Sequence, residues 1–395
     1  MTQTEPEDLT GVLFGQRVAD DPHEAYATLR SECPVNRGTM MGLPMVLISR
    51  YKDAVWALRH PELFSSENTV SLGDQPLIPE EVDPPRHTAY RRLLNPQFVP
   101  REIGRLEPDV RTMVVALLDG FASSGSCDFH EEFATPLPSG IFLALMGLPR
   151  ADLPMFLKWR DDSIRPAVAP GDFEGAQAIR EATGKAISDY FREAIDERRR
   201  EPDDSLLSRI VRSEIDGAPL TEAELLGMTH LLLLGGLDTV TATLDCMIAY
   251  LAEHPEYRQR LIDDPSCIPG AVEELLRWTT PVMGVPRIVT QEVELGSVTL
   301  QPGDRATVVL GAANDDEEEF GPPRIDFDRT PNRHVAFGAA NHLCLGAHLA
   351  RLELRVSLEE IHRRIPNYRI ADGAEIHFSP GIRQASSLPL VFDPA

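Results

Sequence analysis

The run from Thr221 to Pro255 constrains the fold more than any other part of this chain, because it predicts one long helix. Thr221-x-x-Glu224 forms a capping box, in which hydroxyl and carboxylate satisfy free amides at a helix start. Proline at 255, after His254, ends the pattern. At 1.5 Å per residue such a helix spans about 50 Å, the width of a whole protein. Its middle, LLLLGGLDTV, is apolar all round, as a helix buried in a core must be. Gly235 and Gly236 each cost about 1 kcal/mol there relative to alanine. Asp238 costs more if it is buried without a partner. A ligand lying against the helix, with Asp238 and Thr239 handling protons, would explain that turn. A tight helix crossing over the glycines, with Asp238 paired to a buried arginine, explains it equally well.

Helical spacing of three and four also marks 21–31, 52–59, 102–121, 173–200 and 345–365. Strand signals are short and late, at 285–290, 294–300, 305–310 and 389–392. The pattern predicts a mainly α fold with small β-sheets. It reads as a polar N-terminal segment over 1–20 and a single domain over 21–395, with no linker long enough to divide it.

The formal net charge of −24 repels phosphate, which argues against nucleic acid and against an anionic membrane surface. Five scattered cysteines, an odd number, suit a reducing compartment rather than a disulfide framework. The N-terminus has neither the basic region nor the apolar core of a signal peptide, and no 18-residue apolar run suggests membrane insertion. The expected location is cytoplasmic.

Two further segments carry chemistry. Glu274-x-x-Arg277 puts a carboxylate and a guanidinium on one helical face, a pairing that is commonly worth only a few tenths of a kcal/mol. FGAANHLCLG, residues 337–346, sets Cys344 among glycines at the start of a long amphipathic helix. Free amides and the positive dipole end at that start stabilise a thiolate. A buried structural cysteine is the commoner fate of a lone thiol. Zinc bound by His342, Cys344 and His348 is a weaker reading, since no CxxC pair accompanies them.

Order and spacing together are decisive. FGAANHLCLG resembles the heme-binding loop of the cytochrome P-450 superfamily, FGxGxHxCxG, with Ala340 in place of the second glycine. Glu274-x-x-Arg277 resembles the family's ExxR motif, and GGLDTV its oxygen-activation turn. DPPRHTAYRRLLNPQF, residues 83–98, and Arg329 before PNRHVAFG are similar to its heme-edge segment and meander. The resemblance runs from about residue 20 to the end and is to the bacterial, soluble, ferredoxin-dependent type. It implies the cytochrome P-450 fold, heme b (iron protoporphyrin IX), and insertion of one oxygen atom from O₂ into a C–H bond. Ala340 is tolerable on this reading if its backbone φ is negative.

The resemblance assigns roles residue by residue. Cys344 would be the metal ligand, its thiolate pushing electron density onto iron. His87, Arg91, Arg287 and His342 would hold the propionates, and Phe337 and Gly346 would frame the cofactor. Glu274, Arg277 and Arg329 would form a buried ion network. Asp238 and Thr239 would relay protons to bound dioxygen, and Gly235 and Gly236 would leave it room. Val70, Leu234, Val282, Val285 and Ile382 would line a pocket for a small apolar terpenoid, steroid, fatty or aromatic substrate. Arg383 is expected either to face solvent or to receive a substrate carboxylate.

The residues supply no Cys₄ spacing and no flavin domain, so electrons are expected from a separate ferredoxin-type partner and its reductase. Arg351, Arg355 and Arg101 or Arg105 would form its docking surface, unless they merely pair with carboxylates. A peroxygenase or a heme-based sensor would need no acid–alcohol pair, so Asp238-Thr239 counts against both.

Overall fold

The computed structural model describes residue 13 and residues 15–40, 43–70, 76–169 and 171–395. Helices dominate. The expected long helix forms as two segments, Glu222–Leu237 and Thr239–Glu253, interrupted at Asp238 (φ −110°, ψ −48°). The capping box is present: Glu224 N–H donates to Thr221 Oγ1, and Thr221 N–H donates to Glu224 Oε2 at 2.8 Å. By length and composition this central helix passes for a membrane span, which a search for one unbroken apolar run overlooks. Most of it is buried inside the protein, where the largest apolar cluster surrounds it.

Several expected boundaries shift for local reasons. The helix expected over 102–121 forms as Pro100–Gly104 and Glu107–Phe121, the second starting afresh with Pro108 in its first turn. The strand expected over 294–300 is a hairpin, Val293–Leu295 with Val298–Leu300, turned at Gly296 where φ is +62°. Ahead of the expected domain start at residue 21, Gln16–Asp20 is helical, and Leu13, Val18 and Ala19 are buried. Residues 1–12 and 14 of that expected polar segment lie outside the described residues.

The five-stranded sheet includes three strands with no counterpart in the periodicity reading. Its strands are β1 (Val35–Met40), β2 (Leu43–Ile48), β3 (Phe64–Ser65), β4 (Val285–Val289) and β5 (Arg305–Val308), in the order β1-β2-β5-β4-β3. β1 and β2 are antiparallel, β5 joins β2 in parallel, and Arg287 of β4 sits opposite Ala306 of β5. A second apolar cluster, including Val46, Ile48, Phe64 and Val308, lies under this sheet. The sheet thus fixes Arg287, while the Arg86–Leu94 helix carries His87 and Arg91.

Candidate active site: a thiol and an unpaired cation cluster around one cavity

One cavity of about 310 Å³ collects most of the expected site residues. Its wall includes His87, Arg91, Gly235, Thr239, Val282, Val285, Arg287, Phe337, His342, Cys344 and Gly346. Cys344 sits just before the Ala347–Arg364 helix, held by a bond from its N–H to Phe337 O at 2.8 Å. The Cys344 side chain has exposed surface and yet is surrounded by protein, because that surface faces the cavity. Burial pushes its thiol up; the Gly346 amide, Arg91 and Arg351 pull the other way. The expected pull toward thiolate is therefore present but outweighed by desolvation in the protein alone.

Ala340 departs from expectation. Its φ is +56°, not negative, so an alanine occupies a left-handed position in the loop beneath the cavity. That conformation costs an L-residue roughly 1–2 kcal/mol. Gly338, two residues earlier, takes φ +70° without that cost.

The central helix sorts its unusual turn by face. A Cβ at Gly235 would meet nothing within 4 Å, consistent with its place on the cavity wall. A Cβ at Gly236 would lie 2.7 Å from Phe142 Cδ2, so this glycine admits the crossing Pro136–Met146 helix. Both explanations for the glycines hold, one for each. Thr239 faces the cavity and donates to Gly235 O at 3.1 Å. Asp238 is absent from the cavity wall and fully buried. Both its oxygens bond Arg165, and Arg160 Nε lies 3.9 Å away. Arg165 also bonds Gln384, so one guanidinium ties the central helix to the C-terminal loop. The arginine pairing weighed from sequence is what holds Asp238.

Three expected pocket residues stand elsewhere. Leu234 is 7% exposed in the core, because the cavity takes the stripes Leu231-Gly235-Thr239 and Leu232-Gly236-Val240, and Leu234 lies on neither. Val70 packs against the core, and Ile382 bridges Val282 without reaching the wall. Residues 71–75, which follow Val70, lie outside the described residues. Arg383 takes neither expected part. It is buried, and it donates to the carbonyls of Ala19, Thr279 and Asp20.

The ion network beside the cavity is saturated. Glu274, fully buried, accepts from Arg277 (2.7 and 2.9 Å), Arg329 (2.9 Å), Asn332 (2.9 Å) and the Asp326 amide (3.0 Å). Phe320 lies under both guanidinium groups, at 5.1 and 5.8 Å.

At the other edge the cations are bare. Both ring nitrogens of His87 are buried without a hydrogen-bond partner. Arg287 spends one donor on Pro286 O, and among the described residues neither it nor Arg91 has a carboxylate within ion-pair distance. The His87 and His342 rings lie 4.3 Å apart, and His342 bonds Ser66 Oγ. Burial, reinforced by Arg91, lowers His87 to about 4; burial, Arg287, His87 and Arg91 lower His342 to about 3. Two guanidiniums and two neutral imidazoles facing one cavity, with most of their donors unspent, call for an anionic ligand. A dicarboxylate cofactor lying over Cys344 fits that demand.

Sequence reasoning overlooked two carboxylates on the same wall, Glu80 and Glu353. Glu353 is 2% exposed, its Oε2 has no partner, and burial raises its carboxyl to about 8. Its place beside Leu349, Ala350 and Leu354 on the buried face of the amphipathic helix was the available signal.

A mainly helical body with a cavity thiol on one side and a bare cation cluster at the edge defines a heme-thiolate protein. The cytochrome P450 family profile matches residues 164–265 and 267–365. The chain is 33% identical over 400 residues to a steroid C26-monooxygenase of Mycolicibacterium smegmatis, covering 100% of this chain and 98% of that one. It is 34% identical over 407 residues to a vitamin D(3) 25-hydroxylase of Pseudonocardia autotrophica, covering 100% and 98%. The fold superposes on CYP109E1 from Bacillus megaterium, solved in complex with testosterone, with a TM-score of 0.88 at 27% identity, covering 96% and 100%. The chain belongs to the cytochrome P450 family and is a monooxygenase with heme, iron protoporphyrin IX, as its cofactor.

Proposed function

We propose that the protein hydroxylates a rigid, largely apolar molecule of steroid type, with electrons from a separate ferredoxin. The observation that carries this reading is the segregation of the cavity. Charged side chains gather at the Arg91–Arg287 edge and at Glu353, while Phe98, Pro138, Phe142, Leu145, Leu231, Leu232 and Val282 form an apolar wall. A wall without charged partners selects by shape and apolar area, which suits a fused-ring hydrocarbon. The steroid-named relative and the testosterone complex support the same class.

The chain's own residues would act as follows. Cys344 supplies the sulfur ligand, while Arg91, Arg287, His87 and His342 hold the two propionates. Phe337 and Gly346 frame the loop, with Arg351 over the Phe337 ring at 4.6 Å. Glu274, Arg277 and Arg329 hold the segment leading into that loop. When bound, the heme supplies activation of dioxygen. Thr239 Oγ1, anchored on Gly235 O, presents a hydroxyl to the cavity and passes protons there, while Gly235 leaves space beside it. Asp238 restocks that hydroxyl with protons when Arg165 swings aside.

For the ferredoxin, three of the four expected arginines are already committed. Arg351 pairs with Glu273, Arg355 with Glu107 and Glu359, and Arg105 with Glu102. Arg101 and Arg92 form no ion pair among the described residues and stand beside exposed Val99. The Pro100–Gly104 helix packs on the helix that follows Cys344, and Leu343 is exposed next to the thiol. This small basic and apolar patch would seat the acidic partner.

Optical titration with a panel of steroids, terpenoids, fatty acids and aromatic acids tests the substrate class. A low-to-high-spin shift is expected with steroids; a shift with linear fatty acids alone would overturn it. Carbon monoxide on the reduced protein should give the red-shifted Soret band of thiolate ligation. Thr239→Ala should consume reducing equivalents without product, and unchanged coupling would remove Thr239 from the relay.

A further inference from the structure

The segment before the Arg86–Leu94 helix holds three acids, Glu80, Glu81 and Asp83, and two of them have evident structural tasks. Glu81, 6% exposed, accepts the amides of Val70 (2.6 Å) and Leu77 (3.1 Å). Asp83 accepts the amide of Ser66 at 3.0 Å. Glu80 accepts no hydrogen bond from a described residue. Its carboxylate instead lines the cavity on the side of the cation cluster, with Oε2 4.0 Å from His342 Nδ1. Its side chain is 36% exposed, and like that of Cys344 it is closely surrounded by protein, so this surface opens into the cavity. Burial raises its carboxyl, and Arg287 and Arg91 are the cations that pull it back. Those are the two guanidiniums that face the cavity without a carboxylate in contact.

Arg91 and Arg287 are the two guanidiniums on this wall available to two propionates, and the Glu80 carboxylate stands beside them as a third claimant on the same cluster. We propose that Glu80 is a built-in competitor for the Arg91–Arg287–His342 cluster, so that this chain holds heme less tightly than its own cations permit. The proposal rests on the heme reading and concerns only what Glu80 does to it. On heme entry the Glu80 carboxylate must turn away from the cluster, which its lack of hydrogen bonds makes easy.

Titrating apoprotein with iron protoporphyrin IX, followed by tryptophan quenching and the Soret band, tests this with Glu80→Gln. The variant should bind heme about tenfold more tightly, the effect of one buried like charge removed near the propionates. Thermal melts should shift in opposite directions, down for the apoprotein, which loses a counter-charge, and up for the loaded protein. A purely structural Glu80 would lower both melts. Repeating the titration with heme dimethyl ester, whose propionates carry no charge, should abolish the difference between the two proteins. Equal heme affinities, or a difference that survives with the ester, would overturn the proposal. If the unmodified protein bound no heme at all, it would be the heme reading that failed.

Discussion

Two buried charge clusters of this protein, around Glu274 and around His87, are built on opposite plans. Around Glu274 every carboxylate lone pair has a donor, and both arginines also cap carbonyls: Arg277 those of Asn314 and Arg324, Arg329 that of Phe320. Around His87 the ring nitrogens are orphaned, and Arg91 and Arg287 face a cavity with no carboxylate within ion-pair distance among the described residues. A buried group with every partner inside the chain serves the fold. A buried group with no partner inside the chain implies one from outside.

The sharpest way to break this contrast is Glu274→Ala. It leaves Arg277 and Arg329 buried without a counter-charge, and a loss of about 3–5 kcal/mol is expected in urea unfolding of the apoprotein. A loss below 1 kcal/mol would deny the network its structural role.

The double variant Arg91→Ala/Arg287→Ala should behave in the opposite way. Heme affinity should fall about 100-fold or more, since each charge-assisted bond is worth about 1.5–3 kcal/mol. Unfolding of the apoprotein should change little. Equal losses in folding and in heme binding would erase the distinction between the clusters.

Ala340→Gly probes the loop that joins the two regions. Relief of the left-handed alanine should stabilise the protein by up to about 1 kcal/mol, the strain being partly offset by the greater unfolded-state freedom of glycine. Destabilisation would mean that the Ala340 methyl packs usefully.

The last effect concerns pH. Folded His87 stays neutral down to about 4, whereas unfolded histidine takes up a proton near 6.5. The unfolded chain therefore binds more protons between these values, and apoprotein stability should decline as pH falls from 6.5 toward 4. His87→Gln should flatten that decline. Loading with heme should flatten it too, because propionates beside His87 favour its charged form. A decline unaffected by either change would place the titration elsewhere.

Much of this was legible in the sequence, in proportion to how local the signal was. The capping box at Thr221, the helix over 173–200 and the thiol loop are written in adjacent residues, and they form nearly as expected. Strands β1 and β2 were missed because β2 runs LPMVLI, an apolar run without period-two alternation. That Gly236, unlike Gly235, also makes room for a crossing helix depends on Phe142, nearly a hundred residues earlier in the chain. The partner of Asp238 was expected only as an arginine; that it is Arg165, shared with Gln384, needed three distant segments brought together. Glu80 was invisible because an acid among acids in a proline-rich turn reads as solvated surface.

The bare cation cluster has a kinetic consequence, given the −24 charge of the chain that surrounds it. A dianionic cofactor is repelled by the whole molecule until it comes within about a Debye length, ~10 Å at 0.1 M salt, of Arg91 and Arg287. Added salt should therefore quicken capture by weakening the long-range repulsion, and shorten residence by weakening the contacts inside. Arrival and departure would both accelerate, leaving the equilibrium less sensitive to ionic strength than either rate alone.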